Sequence, residues 1–94
     1  MPGLKVNKKD PLMPTEMEEF ITDTIIISKV KNGGHTNKMA DAIKKKLDEH
    51  FGGWWTVLVI KGTNAGWAIK GIQSQKGTFI NVDHGAHTYF IFKS

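Results

Sequence analysis

Two segments of the chain repeat their apolar residues at the three- and four-residue spacing of a helix. In the first segment the apolar positions are Met17, Phe20, Ile21, Thr24 and Ile25. In the second segment they are Met39, Ile43, Leu47, His50 and Phe51, with lysines and acidic residues between them. Each pattern predicts an amphipathic helix that buries one face against a core and exposes the other to solvent.

The first of these helices has a clear start signal and a less clear end. Thr15-Glu16-Met17-Glu18 has the pattern of a capping box, in which the side chains of Thr15 and Glu18 each accept a hydrogen bond from a free backbone N–H group. The helix is therefore predicted to run from about Thr15 to about Lys31. The β-branched run at 25–27 lowers its helix propensity, so this segment is less clearly helical than the second.

Glycine pairs bound the second helix on both sides. Asn32-Gly33-Gly34 predicts the break between the helices, and Thr36 is a candidate cap at the start of the second one. Gly52-Gly53 predicts its end, because glycine adopts left-handed backbone angles without a steric penalty. Opposite charges four residues apart favour this helix by roughly 0.2–0.5 kcal/mol a pair. The pairs are Asp41 with Lys45, Lys44 with Asp48, and Lys45 with Glu49.

The segment after the second helix alternates like a strand but is apolar on both sides. Trp55, Val57 and Val59 point one way, and the residues that point the other way are Trp54, Thr56, Leu58 and Ile60. A strand over 54–60 is therefore predicted to be covered on both faces.

Three further segments, at 67–72, 78–83 and 86–92, predict strands with short polar connections and a hairpin turn at His84-Gly85. The arm from Met1 to Pro14 either adds a short edge strand or stays loose. An arm over 1–14 thus precedes a single domain over 15–94. Two helices followed by four strands predict an α+β fold, with the helices on one face of an antiparallel sheet.

Composition narrows the class of protein. The chain has 94 residues, 39% of them hydrophobic, which suffices for one small domain whose thin core a partner would help to cover. It has no cysteine, so disulfides, zinc–thiolate sites and thiol catalysis are excluded. No long apolar run and no signal-peptide pattern is present, and the expectation is a soluble cytosolic protein without membrane contact.

A net charge of +4 permits nucleic-acid binding as an alternative function. Trp54 and Trp55 would then stack on bases, but their place in an apolar strand favours burial in a core or an interface. His84 and His87 with Asp83 indicate a metal site only weakly, because no fourth ligand is evident. No acid–base pair, nucleophile or cofactor motif stands out, so neither an enzyme nor a cofactor is expected.

With these residues in this order, the chain resembles the small dynein light chain family, the dimeric hub light chains of cytoplasmic and axonemal dyneins. The resemblance extends over 13–94. Its anchors are Met13, Glu16, Met17, Ile43-Lys44-Lys45, Asp48, Phe51, Trp55, Phe79-Ile80, Gly85 and Phe92-Lys93-Ser94. The resemblance implies a homodimer, or a heterodimer with a related light chain. In such a dimer two sheets pack face to face, and one strand crosses to the partner's sheet.

The resemblance also implies where a partner would bind. Family members hold an extended peptide as an additional strand along the swapped strand, beside the start of the second helix, so that backbone hydrogen bonds provide affinity. The groove positions in this chain are Thr36 and Asn37 at the helix start, Gly66, Trp67, Ala68, Ile69, Lys70 and Gly71 on the swapped strand, and Asn81 and Asp83 on a neighbouring strand. The implied dimer interface consists of Trp55, Thr56, Val57, Val59, Trp67 and Ile69.

Several groove positions depart from the family pattern. Asn37 replaces a usual lysine, Ala68-Ile69-Lys70-Gly71 replaces a Tyr-Val-Thr-His run, and Asn81 and Asp83 replace two tyrosines. Binding to the general hub motif is therefore expected to be weak or absent. Thr56 replaces an interface histidine, so a dimer that dissociates on protonation by that route is not expected.

The function implied by the resemblance is that of a non-catalytic light chain. It would dimerise and bind an extended segment of a dynein intermediate or heavy chain, in the cytoplasm and cytoskeleton or in a ciliary axoneme. The divergent groove suits an axonemal member with one fixed partner. The alternative is a small basic nucleic-acid-binding domain, whose binding would collapse between low and moderate salt, whereas strand addition would persist.

Overall fold

The computed structural model describes residues 4–61 and 77–93 of the chain. The elements are β1 (Leu4–Lys9), α1 (Thr15–Asn32), α2 (Thr36–Phe51), β2 (Trp55–Lys61), β3 (Ile80–His84) and β4 (His87–Lys93). The strands form one antiparallel sheet in the order β1-β3-β4-β2, and both helices pack on the same face of it. The predicted α+β architecture is confirmed. The strand predicted at 67–72 lies outside the described residues.

The main core lies between the helices and one face of the sheet. Pairing across the sheet places Val57 opposite Ile91 and Val82 opposite Tyr89, so that these side chains point to the same face. The helices pack on this face with the apolar stripes that predicted them. The buried residues of this core are Met13, Ile21, Ile25, Ile43, Leu47, Trp55, Ile80, Val82, Tyr89 and Ile91.

An aromatic cluster joins the two helices to the first residue of β2. The Phe20 and His50 rings stack with their centroids 3.9 Å apart, and Phe51 meets Phe20 edge-on at 5.3 Å. Phe51 also contacts Trp55, with centroids 5.8 Å apart. His50, which was predicted to lie on the apolar face of α2, is exposed, and it contributes through this stacking rather than through burial.

The predicted capping box at the start of α1 is wrong, although the predicted start of the helix is confirmed. Thr15 is already the first helical residue, and the capping position is occupied by Pro14, which makes no side-chain hydrogen bond. The Glu18 backbone N–H donates to the Pro14 carbonyl at 3.1 Å. The Glu18 carboxylate pairs with the Lys9 ammonium instead of turning back to the helix start, and this ion pair links β1 to α1.

Both glycine breaks lie where they were predicted. Gly33 ends α1 in the left-handed region at φ 59°, and its N–H donates to the Lys29 carbonyl at 3.0 Å. Gly52 ends α2 with φ 72°, and its N–H donates to the Asp48 carbonyl at 3.0 Å. A residue with a Cβ would strain either position.

Thr36 does not cap α2. It is the first helical residue, the capping position is occupied by His35, and the His35 side chain makes no capping hydrogen bond. The predicted cap is one residue too far along the chain, because Thr36 already has helical backbone angles and His35 precedes it at the capping position. The start of α2 therefore lacks a side-chain partner from this position.

The Asp48 carboxylate fixes the connection between α2 and β2. It accepts a hydrogen bond from the Lys44 ammonium at 2.6 Å and another from the Trp55 backbone N–H at 2.9 Å. The Lys44 and Trp55 hydrogen bonds, in that order, hold the pKa of Asp48 below its ordinary value. Three charge pairs were predicted along α2, and the pair of Lys44 and Asp48 is the one that forms among the described residues.

The amino-terminal arm forms an edge strand, which resolves the two alternatives that the sequence left open. β1 pairs with β3 from Leu4 opposite His84 to Lys9 opposite Ile80, with a bulge between Val6 and Lys8. Leu4 and Val6 pack against the main core. The arm therefore lengthens the sheet and adds apolar cover to its end.

Asp10 anchors the chain where the arm leaves the sheet. Its carboxylate accepts the Leu12 N–H at 2.9 Å and the Gly77 N–H at 2.8 Å, and its own N–H donates to the Phe79 carbonyl at 2.9 Å. Gly77 has φ 81° and lies so close to Leu12 that an added Cβ would approach the Leu12 carbonyl oxygen to 3.1 Å. β3 consequently begins at Ile80, two residues later than the predicted start at 78.

The turn of the β3–β4 hairpin lies one residue later in the sequence than predicted. His84 still belongs to β3 and pairs with His87, so the two turn residues are Gly85 and Ala86. Gly85 adopts φ 62°, which a two-residue hairpin turn requires and glycine permits. The two histidines are consequently opposite each other across the hairpin end.

The packing of α1 gives a matched pair of substitutions. Ile25 is fully buried, whereas Ile27, two residues further along the helix, is 51% exposed. We expect Ile25→Ala to lower the free energy of unfolding by about 3 kcal/mol, because it removes buried methylene groups and leaves a cavity. Ile27→Ala should lower it by less than about 1 kcal/mol. Urea denaturation measures both, and equal losses would contradict the described orientation of α1.

Candidate functional site

The start of α2 presents backbone N–H groups that have no partner inside the helix. The helix is 16 residues long, has no acidic residue in its first turn, and has no side-chain hydrogen bond at its capping residue. Thr36 is half-buried there and Asn37 is exposed. The first backbone N–H groups of a helix have no partner within it, and together with the helix dipole they attract negative charge.

A cavity of about 840 Å³ opens beside this helix start. It lies between the α1–α2 connection, the β3–β4 hairpin and the last residue of β2. The lining residues are Lys29, Val30, Gly33, Gly34, His35, Thr36, Lys61, His84, Ala86 and His87. Among these described residues every ionisable side chain is basic, so the cavity, named here the basic cavity, has no carboxylate in its lining.

His84 and His87 form the hairpin wall of the basic cavity. The pKa of each is lowered, first by burial and then by the positive charge of Lys29. The Nδ1 atoms of both rings are buried without a hydrogen-bond partner. The pKa of His87 is also lowered by the charge of Lys61 and raised by a hydrogen bond to the backbone of Gly34. The lowered pKa values favour the neutral rings near pH 7, so the positive charge of the cavity comes from Lys29 and Lys61, and no carboxylate among the described lining residues offsets it.

Two glycines let the backbone approach the side chains of this wall. A Cβ on Gly34 would lie 3.7 Å from the His87 ring, and a Cβ on Gly85 would collide with the Lys29 ammonium. Lys29 therefore reaches across from α1 to the hairpin turn. The α1–α2 turn, the β3–β4 turn and the Lys29 side chain thus form adjoining parts of the cavity wall.

Asn81 and Asp83 lie on the other face of the sheet. Asn81 is 2% exposed and donates to the Tyr89 carbonyl at 3.0 Å, and the Thr88 hydroxyl donates to the Asp83 carboxylate at 2.8 Å. These polar groups are thus buried and satisfied. Within this chain the structure does not bring them together with Thr36 and Asn37, which lie on the helix side.

The predicted interface residues of β2 divide between the two faces. Trp55 is 1% exposed, and Val57 and Val59 pack partly buried against the main core beneath the helices. Thr56 is exposed on the opposite face. Trp67 and Ile69 lie outside the described residues, as does the whole predicted swapped strand at 66–71.

The face of the sheet away from the helices, named here the outer face, carries an apolar cluster beside the polar side chains of Asn81, Asp83 and Thr88. Phe79 and Phe90 are buried there and pack with the half-buried Ile60 and Phe92, while Leu58 is 47% exposed. β2 pairs with β4 along one edge, and no described strand pairs with its other edge. The outer face and this edge are the two surfaces at which further chain can be added to the sheet.

The basic cavity is the part of the site that the sequence reasoning missed. The sequence indicates His84 and His87 only as weak metal ligands, and it gives no signal for Lys29 and Lys61. The His-Gly-Ala-His spacing was the available signal, because a two-residue turn makes its flanking residues neighbours across the hairpin. Among the described residues no group of three side chains is arranged to hold a metal ion. Neither helix in the described part of the chain is long and apolar enough to cross a bilayer.

The fold matches solved structures closely despite low sequence identity. The dynein light chain-like domain of the Fasciola hepatica calcium binding protein FhCaBP2 superposes with a TM-score of 0.76 at 14% identity, covering 100% of this chain and 94% of that one. The DLC-like domain of CsTAL3 superposes with a TM-score of 0.77 at 19% identity, covering 100% and 95%. Among curated proteins no match was found. At these identities the likeness shows the fold alone.

Two helices on one face of a four-stranded antiparallel sheet, with an apolar cluster on the sheet's other face, are thus the architecture of a dynein light chain-like domain. The family model for dynein light chain type 1 matches residues 5–94, and the chain belongs to the dynein light chain family. Members of this family are generally non-catalytic adaptors that bind dynein subunits, dimerise and associate with the cytoskeleton.

The buried histidines predict a pH dependence of stability. Because the folded-state pKa values of His84 and His87 lie below the ordinary value of 6.5, the unfolded chain binds more protons near that pH. The free energy of unfolding should therefore be fully retained above pH 6.5 and should fall as the pH drops below it. Urea denaturation between about pH 8 and about pH 5, above the carboxylate range, measures this slope.

The double variant His84→Asn, His87→Gln should flatten the slope in that window. His50→Gln, which removes an exposed histidine from α2, is the matched control and should leave the slope in place. A slope that survives in the double variant would contradict the assignment.

Proposed function

We propose that this light chain dimerises through the outer face of its sheet and binds an extended segment of a dynein intermediate or heavy chain by strand addition. The chain would thereby support assembly of a motor complex without catalysing a reaction. The observation that carries the proposal is an apolar cluster on the outer face next to an edge of β2 with which no described strand pairs, in a chain of the dynein light chain family. A ciliary or flagellar axoneme is the proposed location, because the divergent groove suits one fixed partner.

Dimerisation is supported by the apolar character of the outer face. Leu58 is 47% exposed in the middle of β2, and Ile60 and Phe92 are only half-buried. A β-sheet that is apolar on both faces is stable in water when both faces are covered. A second copy, or a related light chain with the same face, would supply that cover. The proposed interface accordingly centres on Thr56 and Leu58, with Trp67 and Ile69 from the segment predicted to cross.

Strand addition is supported by the edge of β2 with which no described strand pairs. Such an edge presents backbone N–H and C=O groups that an extended segment can use. In the proposal the crossing segment 66–71 of a second copy uses this edge, and the dynein segment is added along that crossing strand, beside Thr36 and Asn37, with Asn81 and Asp83 on a neighbouring strand. Asn81 and Asp83 already make internal hydrogen bonds, so their part in the groove is to shape it rather than to provide free polar groups.

Of the two tryptophans that would stack on bases in the alternative nucleic-acid function, one is buried. Trp55 is 1% exposed and its ring is packed against Phe51, so that it offers no face to a base. Trp54 is 72% exposed, and the Lys44 ammonium lies 4.7 Å from the centre of its ring. One exposed tryptophan without a basic groove around it is weak support for stacking on single strands.

A peptide array tests strand addition directly. Overlapping synthetic peptides that tile dynein intermediate and heavy chains are probed with the purified light chain. We expect a few contiguous segments to bind, and we expect binding to persist between about 50 and 200 mM salt, where nucleic-acid binding would fall by several orders of magnitude.

The double variant A68P/I69P should abolish this binding, because proline removes the backbone donors of the proposed docking strand. The matched control A68S/I69V keeps those donors and should bind normally. Unchanged binding by the proline variant, with an unchanged circular dichroism spectrum, would rule out this edge.

A further inference from the structure

The basic cavity is lined by basic side chains whose charge no acidic lining residue neutralises, so it is a candidate binding site for an anion. Its charged and titratable side chains come from every element around it, namely Lys29 on α1, His35 at the start of α2, Lys61 on β2, His84 on β3 and His87 on β4. None of the described residues that line it is acidic. Positive charges gathered in one concavity repel each other, and an anion bound there would relieve that repulsion.

A second observation, independent of the helix start, points to a missing ligand. His87 is 7% exposed, lines the cavity, and keeps a buried Nδ1 atom without any hydrogen-bond partner. A buried polar atom without a partner costs stability, so a native structure seldom retains one without a reason. A proton on Nδ1 would make His87 a hydrogen-bond donor toward an anion bound in the cavity.

The helix start adds donors on the opposite wall. Thr36 lines the cavity, and the first turn of α2 has no acidic residue that would use its free backbone N–H groups. Helix starts of this kind bind carboxylates and phosphates, because several N–H groups converge and the dipole is favourable. Two lysines, a buried histidine and a helix start thus surround one space of about 840 Å³.

The other groove of the molecule provides the contrast. It lies between α1 and α2, has a volume of about 640 Å³, and mixes both signs of charge, with Asp23 and Glu49 beside Lys31, Lys45 and Lys46. The lysines of that groove have acidic neighbours within it. The basic cavity therefore differs from the general lysine-rich surface of this chain.

We propose that the segment held by this light chain presents an oxyanion to the basic cavity, either the carboxylate of an Asp or Glu or the phosphate of a phosphoserine. Lys29, Lys61, His87 and the first turn of α2 recognise that group and set the position of the segment. The inference rests on the proposed strand addition, because the cavity opens where the end of β2 meets the start of α2.

A synthetic positional-scanning peptide library, in which every position is varied through all residues and phosphoserine, tests this specificity. We expect the wild-type chain to select peptides with Asp, Glu or phosphoserine at one fixed position, and the preferred residue identifies the source of the oxyanion. The variant K29Q/K61Q should bind these peptides about tenfold more weakly or worse, as expected for the loss of charge-assisted hydrogen bonds. It should still bind their versions with Gln at that position as well as the wild type does.

The control K45Q/K46Q removes the same charge from the groove between the helices and should keep the acidic preference. An equal loss in both variants would show a general electrostatic effect and would overturn the inference. Selection of a fixed motif without an acidic position would overturn the inference and leave strand addition intact. Failure of the wild type to select any peptide would overturn strand addition and the inference with it. If K29Q/K61Q proves unfolded by circular dichroism, the single variant K61Q takes its place with the same expected loss of preference.

Discussion

The structure depends on one constraint, which is that the central strand β4 is buried on both faces. Tyr89, Phe90 and Ile91 are consecutive and fully buried, and consecutive residues of a strand point to opposite faces. Tyr89 and Ile91 face the helices, where the Tyr89 hydroxyl meets the Met39 sulfur at 3.6 Å and burial raises the pKa of Tyr89. Phe90 faces the other way. The helices cover only one side of this sheet, and on the other side Leu58 is 47% exposed, so the proposed association would cover the apolar surface that remains there.

Two carboxylates fix the connections that lead from α2 and from the amino-terminal arm into the sheet. Asp48 ties the end of α2 to the first residue of β2, and Asp10 ties the arm to the segment before β3. With both ends of the sheet fixed, the α1–α2 connection comes to lie against the β3–β4 hairpin. The basic cavity is the space left between these two turns, so the same contacts that hold the helices on the sheet also shape the candidate ligand site.

The parts of this fold that depend on local pattern could be predicted from the sequence. Helical spacing located both helices, and strict alternation over 54–60 identified a strand apolar on both sides. Predictions about single contacts failed where a residue found a different partner. Glu18 pairs with Lys9 instead of capping α1, and the hairpin turn shifts by one residue because His84 pairs with His87.

The candidate site was less predictable, for a physical reason. The side chains of the basic cavity come from positions 29, 35, 61, 84 and 87, which only tertiary packing brings together. Their charges are unremarkable in the sequence, where lysines are spread over several segments. The family resemblance implies a groove at the helix start and an interface on β2, and it assigns Trp55, Val57 and Val59 to a surface between subunits. The structure places these three side chains on the helix side of the sheet.

The central claim is that a second chain covers the outer face, and sedimentation equilibrium of the purified protein tests it most directly. The account predicts twice the monomer mass of 10.5 kDa at micromolar concentration. It predicts dissociation to monomer in Leu58→Lys, because that charge would be buried in the interface. Ile27→Lys, on a residue of similar exposure in α1, should remain dimeric. A wild-type mass of 10.5 kDa at tens of micromolar would contradict the account for a homodimer, and equal masses for all three proteins would remove the outer face as the interface.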